Sequence, residues 1–420
     1  MERFVCKDGR RLRCGYTTGT CAALAAKAAA GYLLRGVWEK EPGIMTPGGV
    51  YVQAGIEEMR AGPQGAGKSM DDCTRRAVPG VWFAECAVRK DAGDDSDVTD
   101  GLLIFARAEF AKGACGCGAA AGERGPRVFI EGGKGVGRVT KAGLDQPLGA
   151  AAINSGPRRM IEKAVQEVLL SCGEARAVQI TIFVPAGERA AESTFNPVLG
   201  IRGGISILGT SGIVEPMSDE AMIGTIRVQL EVLQAGGRQY AAAVVGKLGA
   251  GFLRRYLERQ GLAPSAAGRM CEEAVICSNF IGSTIDLAGE LGYSGLLFAG
   301  HIGKLVKLGN GIMHTHSREG DGRMDTLLSC ALDAGAKLSL LKKIRAANTT
   351  NEAVELLKET GLLEKAMERL LDRIDEYLQR RAVQGLEMGV ILFGQDGEVL
   401  AENRKAGRVL KQLENPSNKG

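Results

Sequence analysis

The chain holds 420 residues, 45% of them hydrophobic and 24% charged, which is ordinary for a soluble protein and enough for two domains with their own cores. Subtracting 49 acidic from 53 basic residues leaves a net charge of +4, too weak for a nucleic-acid surface. The most apolar early run, Cys21 to Leu34, carries Lys27 and falls short of a bilayer span, and the charged stretch Met1 to Arg13 lacks a signal-peptide core, so the expected location is the cytoplasm, with no membrane partner.

In chain order, Thr17, Thr18, Gly19 and Thr20 supply turn and cap chemistry for an alanine-rich helix running to Leu34. Strands are expected at Val81–Val88, Gly101–Ala108 and Val128–Ile130, with an acidic turn at Asp91–Asp100 and a Gly/Ala-rich loop at Lys112–Pro126. Pro157–Ser171 has helical spacing and Val178–Val184 alternates as a strand. Beyond Pro197 comes the glycine-rich segment Gly203–Gly212, then a helix from Ser218 to Gln234. Strand, small-residue loop and helix then alternate: strands at Ala241–Val245, Ala274–Cys277 and Gly295–Ala299, helices at Phe252–Gln260 and after Gly282. That order implies a parallel sheet. Met324–Arg381 reads as almost wholly helical, and Met388–Phe393 with Glu398–Ala401 as a closing hairpin.

The expected fold class is therefore α+β and α/β. A mixed-sheet N-terminal domain, 1–195, precedes an α/β domain, 196–420, with a helical C-terminal extension; the chain is free to cross between them more than once.

Glycine-rich loops after strands offer free backbone N–H groups to a ligand. Gly209-Thr210-Ser211-Gly212 and Gly300-His301-Ile302-Gly303-Lys304 fit that description, although neither is a nucleotide motif. Gly133-Lys134-Gly135-Val136-Gly137 reads as a turn. The three histidines, His301, His314 and His316, crowd one short region with Asp321, which leaves a metal-dependent hydrolase open as an alternative. Of the 11 cysteines, Cys115 and Cys117 form the one close pair, with no second pair nearby to complete a zinc site. Arg158, Arg202, Lys304 and Arg318 lie in or beside loops and suit carboxylate binding.

Taken together and in order, these residues resemble the cobalt-precorrin-5B C1-methyltransferase (CbiD-type) family. The blocks are Gly15-Tyr16-Thr17-Thr18-Gly19-Thr20-Cys21-Ala22-Ala23, Asp97-Val98-Thr99, Gly132 to Lys141, Thr194 to Ile201, Gly203 to Pro216, Asn279 to Gly282, Gly300 to Lys307, and His314 to Ser317. They span about residues 13–325. Two places depart from the family: Ile153-Asn154 is followed by Ser155-Gly156-Pro157-Arg158, and Cys115-Gly116-Cys117 looks inserted.

The resemblance implies transfer of a methyl group from S-adenosylmethionine to C1 of cobalt-precorrin-5B, giving cobalt-precorrin-6A in anaerobic cobalamin biosynthesis. The cobalt belongs to the substrate, so no protein metal site is expected. On this reading Gly209, Thr210, Ser211, Gly212, Glu215, Gly300, Gly303 and Lys304 hold the cofactor. Arg158, Arg202, Lys304, Arg318 and Asn196 hold the substrate. His301 or His316 moves a proton, while Thr17 and Thr20 orient the macrocycle. A tetrapyrrole-binding protein without catalysis is the non-enzyme alternative; oligomeric state is open.

Overall fold

A computed structural model of the chain describes residues 3–62, 81–111, 127–246 and 249–414. Cys115 and Cys117, and the expected loop 112–126, lie outside these. The chain divides into two compact units, Met1–Ser218 and Asp219–Gly420. The division thus falls after the glycine-rich segment, not at 195/196. Pairing explains why: Ile201–Arg202, Gly204–Ile205 and Ile213–Val214 bond to Arg138–Val139, Gly135–Val136 and Gly15–Tyr16 of the first unit.

The first unit is built on a five-stranded sheet in the order Ile56–Gly62, Phe83–Arg89, Leu103–Phe110, Val178–Phe183, Val128–Gly132. All neighbours run antiparallel except the last pair. Val178–Phe183 alternates buried and half-buried residues, as a strand with one covered face must. The helix Thr18–Arg35 covers that face, and only Lys27, Tyr32 and Arg35 escape burial. Alanine makes this possible, since small side chains on every side let the helix lie between the sheet and the neighbouring helix Ser155–Ser171. Gly36, at φ 69°, ends it in the left-handed conformation that glycine adopts without strain.

The second unit carries a five-stranded sheet in the order Val275–Ile276, Tyr240–Val245, Gly295–His301, Glu387–Phe393, Val399–Glu402. The first four strands are parallel and the last is antiparallel, closing the expected hairpin. Successive residues face opposite sides of a strand. Ala241, Ala243 and Val245 accordingly join one core, which includes the helices Asp219–Ala235, Ile281–Glu290 and Leu363–Arg381. Ala242 and Val244 join another, with the helices Gly249–Arg259, Pro264–Glu272 and Ala406–Glu414. The unit is a three-layer α/β sandwich, and the fold class is the α+β and α/β combination expected. Met324–Arg381 resolves into four helices, Arg323–Asp333, Leu338–Ala346, Thr350–Glu359 and Leu363–Arg381.

Candidate functional site

In the second unit, the strand Tyr240–Val245 lies between Val275–Ile276 and Gly295–His301. Its two chain connections leave toward opposite faces of the sheet. Where connections diverge in this way, a crevice opens beyond the carboxyl ends of the two strands that flank the divergence. Here those ends are Val245-Gly246 and Gly300-His301, with Ser278-Asn279 beside them. Ser278 sits at φ 52°, a strained position for a residue with a side chain.

Lys304 reaches across this edge. Its Nζ donates to Asn279 Oδ1 at 2.8 Å and lies 3.3 Å from where a side chain on Gly246 would begin. Thr315 fixes Asn279 from the far side, through Oγ1 to Oδ1 at 3.2 Å and through its backbone N–H to Asn279 O at 2.9 Å. Lys307, fully folded in, donates to Thr315 O and Gly320 O and so anchors the following loop. Burial lowers the Lys304 pKa from its usual value; Cys277 opposes the shift and Lys307 adds to it. Lysine in such surroundings gains most from an anionic partner. Cys277, wholly enclosed at the same edge, is pushed up to about 12 by burial and is no nucleophile at neutral pH.

His301 terminates the central strand and caps the short helix Ile302–Leu305, its Nδ1 accepting the Gly303 N–H at 3.0 Å. Burial lowers its pKa, a hydrogen bond with Asn351 partly opposing. The ring is therefore neutral at pH 7, and with Nδ1 accepting, the proton resides on Nε2. Its Nδ1 is thus engaged by the turn that it caps. His314 contacts Glu319 Oε1 at 3.3 Å and packs on Phe280, while His316 Nδ1 accepts the Arg318 N–H. Among the described residues no three His, Cys, Asp or Glu side chains gather into a metal-binding group, and Asp321 pairs with Arg323, so the hydrolase alternative loses its centre.

The other predicted cofactor loop, Gly209–Gly212, belongs to the first unit and not to the α/β one. It is locked to the threonine loop. Thr17 N–H donates to Gly212 O, Thr20 Oγ1 to Gly212 O at 2.7 Å, and Thr18 Oγ1 accepts from the Leu208 N–H at 3.0 Å. Thr17, Thr18 and Thr20 are buried; the Thr18 and Thr20 hydroxyls fasten the loop to the helix, and the Thr17 hydroxyl accepts the Thr20 N–H as the helix cap. Thr210 and Ser211 remain exposed. Glu215 pairs with Arg3 at 2.7 Å.

The expected substrate cations separate likewise. Arg158 spends its guanidinium on Ile153 O and Ile130 O, and Asn196 is buried against Gly204 O and Ser206. Arg318 pairs with Asp219 and Glu319. Arg202 is exposed on its short strand. Of the residues singled out from sequence, the structure brings together Gly300, His301, Gly303 and Lys304. Gly246, Ser278 and Asn279 lie at the same edge and were not read as cofactor-binding; their signals were the loop after a short apolar strand and, for Asn279, its place in a block shared with the family.

No helix among the described residues is long and apolar enough to cross a membrane. Residues 5–216 match the CbiD family, and residues 314–404 match its C-terminal domain. The chain is 38% identical over 413 residues to the cobalt-precorrin-5B C(1)-methyltransferase of Alkaliphilus metalliredigens, covering 98% of each chain. It is 39% identical to the protein of that name from Ruminiclostridium cellulolyticum, covering 94% of this chain and 92% of that one. The crystal structure of the cobalamin biosynthesis protein cbiD from Archaeoglobus fulgidus overlays at a TM-score of 0.35 with 23% identity, over 79% of this chain and 88% of that chain. With both parts of the family matched in order and relatives similar from end to end, the chain belongs to the CbiD family.

Proposed function

We propose that this protein is a cobalt-precorrin-5B C(1)-methyltransferase that uses S-adenosylmethionine. The observation that carries the reading is similarity over 98% of the chain to a relative of that name. The cofactor supplies an electrophilic methyl group: its sulfur–methyl bond breaks as the bond to C1 of the ring forms, and a neutral thioether departs.

The α/β crevice of the second unit suits this cofactor. Gly246 and Gly300 leave room where a side chain would crowd Lys304 or Val245. Lys304, held by Asn279, is an ammonium in want of an anion and suits the carboxylate of the cofactor's methionine part. Asn279, held in turn by Thr315, brings an amide to the same edge. Catalysis then rests on holding ring carbon and methyl in line, which needs no protein base. His301 acts by fixing the turn that aims Lys304.

Calorimetry of the full chain with S-adenosylhomocysteine tests the placement. We expect Lys304→Met to weaken binding at least about tenfold, the value of one charge-assisted hydrogen bond. Anaerobic incubation with S-adenosylmethionine and cobalt-precorrin-5B should add one methyl group to the substrate, seen by mass spectrometry. A wild-type protein that binds no S-adenosylhomocysteine and methylates nothing overturns the reading.

A further inference from the structure

The first unit carries an open groove of about 130 Å³ between the loop after the strand Gly43–Met45 and the helix Ser155–Ser171. Its walls are apolar: Ile44, Met45 and Pro47 on one side, Met160 on the other. Met45 is 53% exposed, so its side chain is open to a ligand. Arg159 and Lys163 rise along the helix wall. They stand one turn apart, about 6 Å along the axis at 1.5 Å per residue. Both are exposed, and among the described residues neither has a hydrogen-bond or ion-pair partner. The groove's carboxylate, Glu167, is matched by Lys27 at 3.2 Å, so the cations inside it are not neutralised from within. Arg158 points into the unit, which leaves Arg159 as the open member of the pair. The exposed end of the glycine-rich loop adjoins the site, for Gly48 N–H donates to Ser211 O at 2.9 Å.

Apolar walls carrying two free cations at a fixed spacing call for a ligand that is apolar in its body and anionic at its rim. We propose that this groove binds one edge of the tetrapyrrole substrate: Arg159 and Lys163 grip carboxylates on neighbouring ring arms, while Met45, Pro47 and Met160 cover the carbon framework between them. The proposal rests on the function proposed above and names which edge of the protein holds the substrate.

Cobyrinic acid, a cobalt corrinoid with free carboxylate arms, serves as the probe, and cobinamide, whose arms are amides, as the control. Binding to the full chain is followed by the corrin absorbance. Arg159→Glu/Lys163→Glu lies on an exposed helix face and leaves the fold intact, which circular dichroism verifies. We expect it to weaken cobyrinic acid binding more than about a hundredfold, roughly tenfold for each lost contact, and to leave S-adenosylhomocysteine binding unchanged. Cobinamide should bind weakly and equally to both proteins. Met45→Glu, which sets a carboxylate in the apolar wall, should weaken cobyrinic acid as well. Cobyrinic acid binding within about twofold of wild type in the double variant overturns the groove assignment. If wild type nevertheless methylates cobalt-precorrin-5B, the function stands and only the groove falls. A wild type that binds neither corrinoid nor S-adenosylhomocysteine removes both.

Discussion

The pair Lys90 and Asp97 permits the sharpest test of how the first unit is held. Lys90 follows the strand Phe83–Arg89, and its side chain is 1% exposed. Its ammonium donates to Asp97 Oδ2 at 3.1 Å and has no other hydrogen-bond partner among the described residues. Asp97, 27% exposed, also accepts from the backbone N–H and hydroxyl of Thr99. The two single substitutions should therefore differ. Asp97→Asn strands a buried charge. Breaking a fully buried pair costs about 3–5 kcal/mol, and because water reaches Asp97 we expect less than that, about 2–3 kcal/mol. Lys90→Met removes the buried charge and leaves Asp97 with Thr99, so about 1 kcal/mol is expected. Both tryptophans of the chain, Trp38 and Trp82, lie in the first unit, so fluorescence during urea unfolding reports on it selectively. At a slope of about 2–3 kcal/mol per molar urea, Asp97→Asn should lower the midpoint by about 1 M. Desolvation pushes the Asp97 carboxyl up, but Lys90 and the Thr99 donors outweigh it and hold it below the usual range. The contribution is thus complete above about pH 4 and fades as pH falls through the lowered value. A shift below about 0.3 M, or a larger loss from Lys90→Met than from Asp97→Asn, would refute the reasoning.

Gly209→Ala should destabilise the first unit by about 2–3 kcal/mol, because φ is 127° and the new methyl would begin 2.4 Å from Thr17 Oγ1; the same fluorescence titration reads it. Thr20→Val should cost about 1 kcal/mol, because the Gly212 carbonyl loses the Thr20 hydroxyl but keeps the Thr17 N–H, again as a urea midpoint shift. Burial of His301 disfavours its charged form, so its protonation destabilises the second unit as pH falls below about 6.5, down to the lowered folded value. His301→Gln should remove that component, seen as hydrogen exchange in the strand Gly295–His301 that no longer quickens over this range.

Regular elements were legible where one periodicity prevailed. Val178–Phe183 alternates, and the alanine run after Thr20 has only one good conformation. Parallel strands such as Tyr240–Val245 are apolar on both faces and were found through the loops that bound them. The hairpin Phe4–Lys7/Arg10–Arg13 escaped notice because half of its strand residues are charged and none is buried, although Asp8-Gly9 between the strands is a favoured two-residue turn. The helix Pro264–Glu272 is short and buries one residue, Ala267, so its periodicity carried almost no signal. The domain boundary was misplaced for a different reason. Two-residue strands such as Gly204–Ile205 have no pattern of their own, and their attachment to Gly135–Val136 is a long-range pairing.

The sites show the same limit at the level of single side chains. Sequence placed Lys304 and His301 beyond a strand end, and strand order then put them where the chain connections diverge. It chose Arg158, and not its neighbour Arg159, as a carboxylate ligand. Adjacent helical residues point about 100° apart, so one must turn inward when the helix packs, and only the packing partner settles which. Here the carbonyls of Ile130 and Ile153 await the inner guanidinium, and Arg159 is left at the groove. The threonines illustrate the converse. Three hydroxyls on one loop suggested a ligand, but Ser206, Leu208 and Gly212, lying far away in sequence, present the backbone groups that Thr18 and Thr20 satisfy, while Thr17 caps its own helix. A polar cluster in a sequence signals that partners exist; whether those partners are substrate atoms or the protein's own peptide groups depends on which distant segment the fold brings to it.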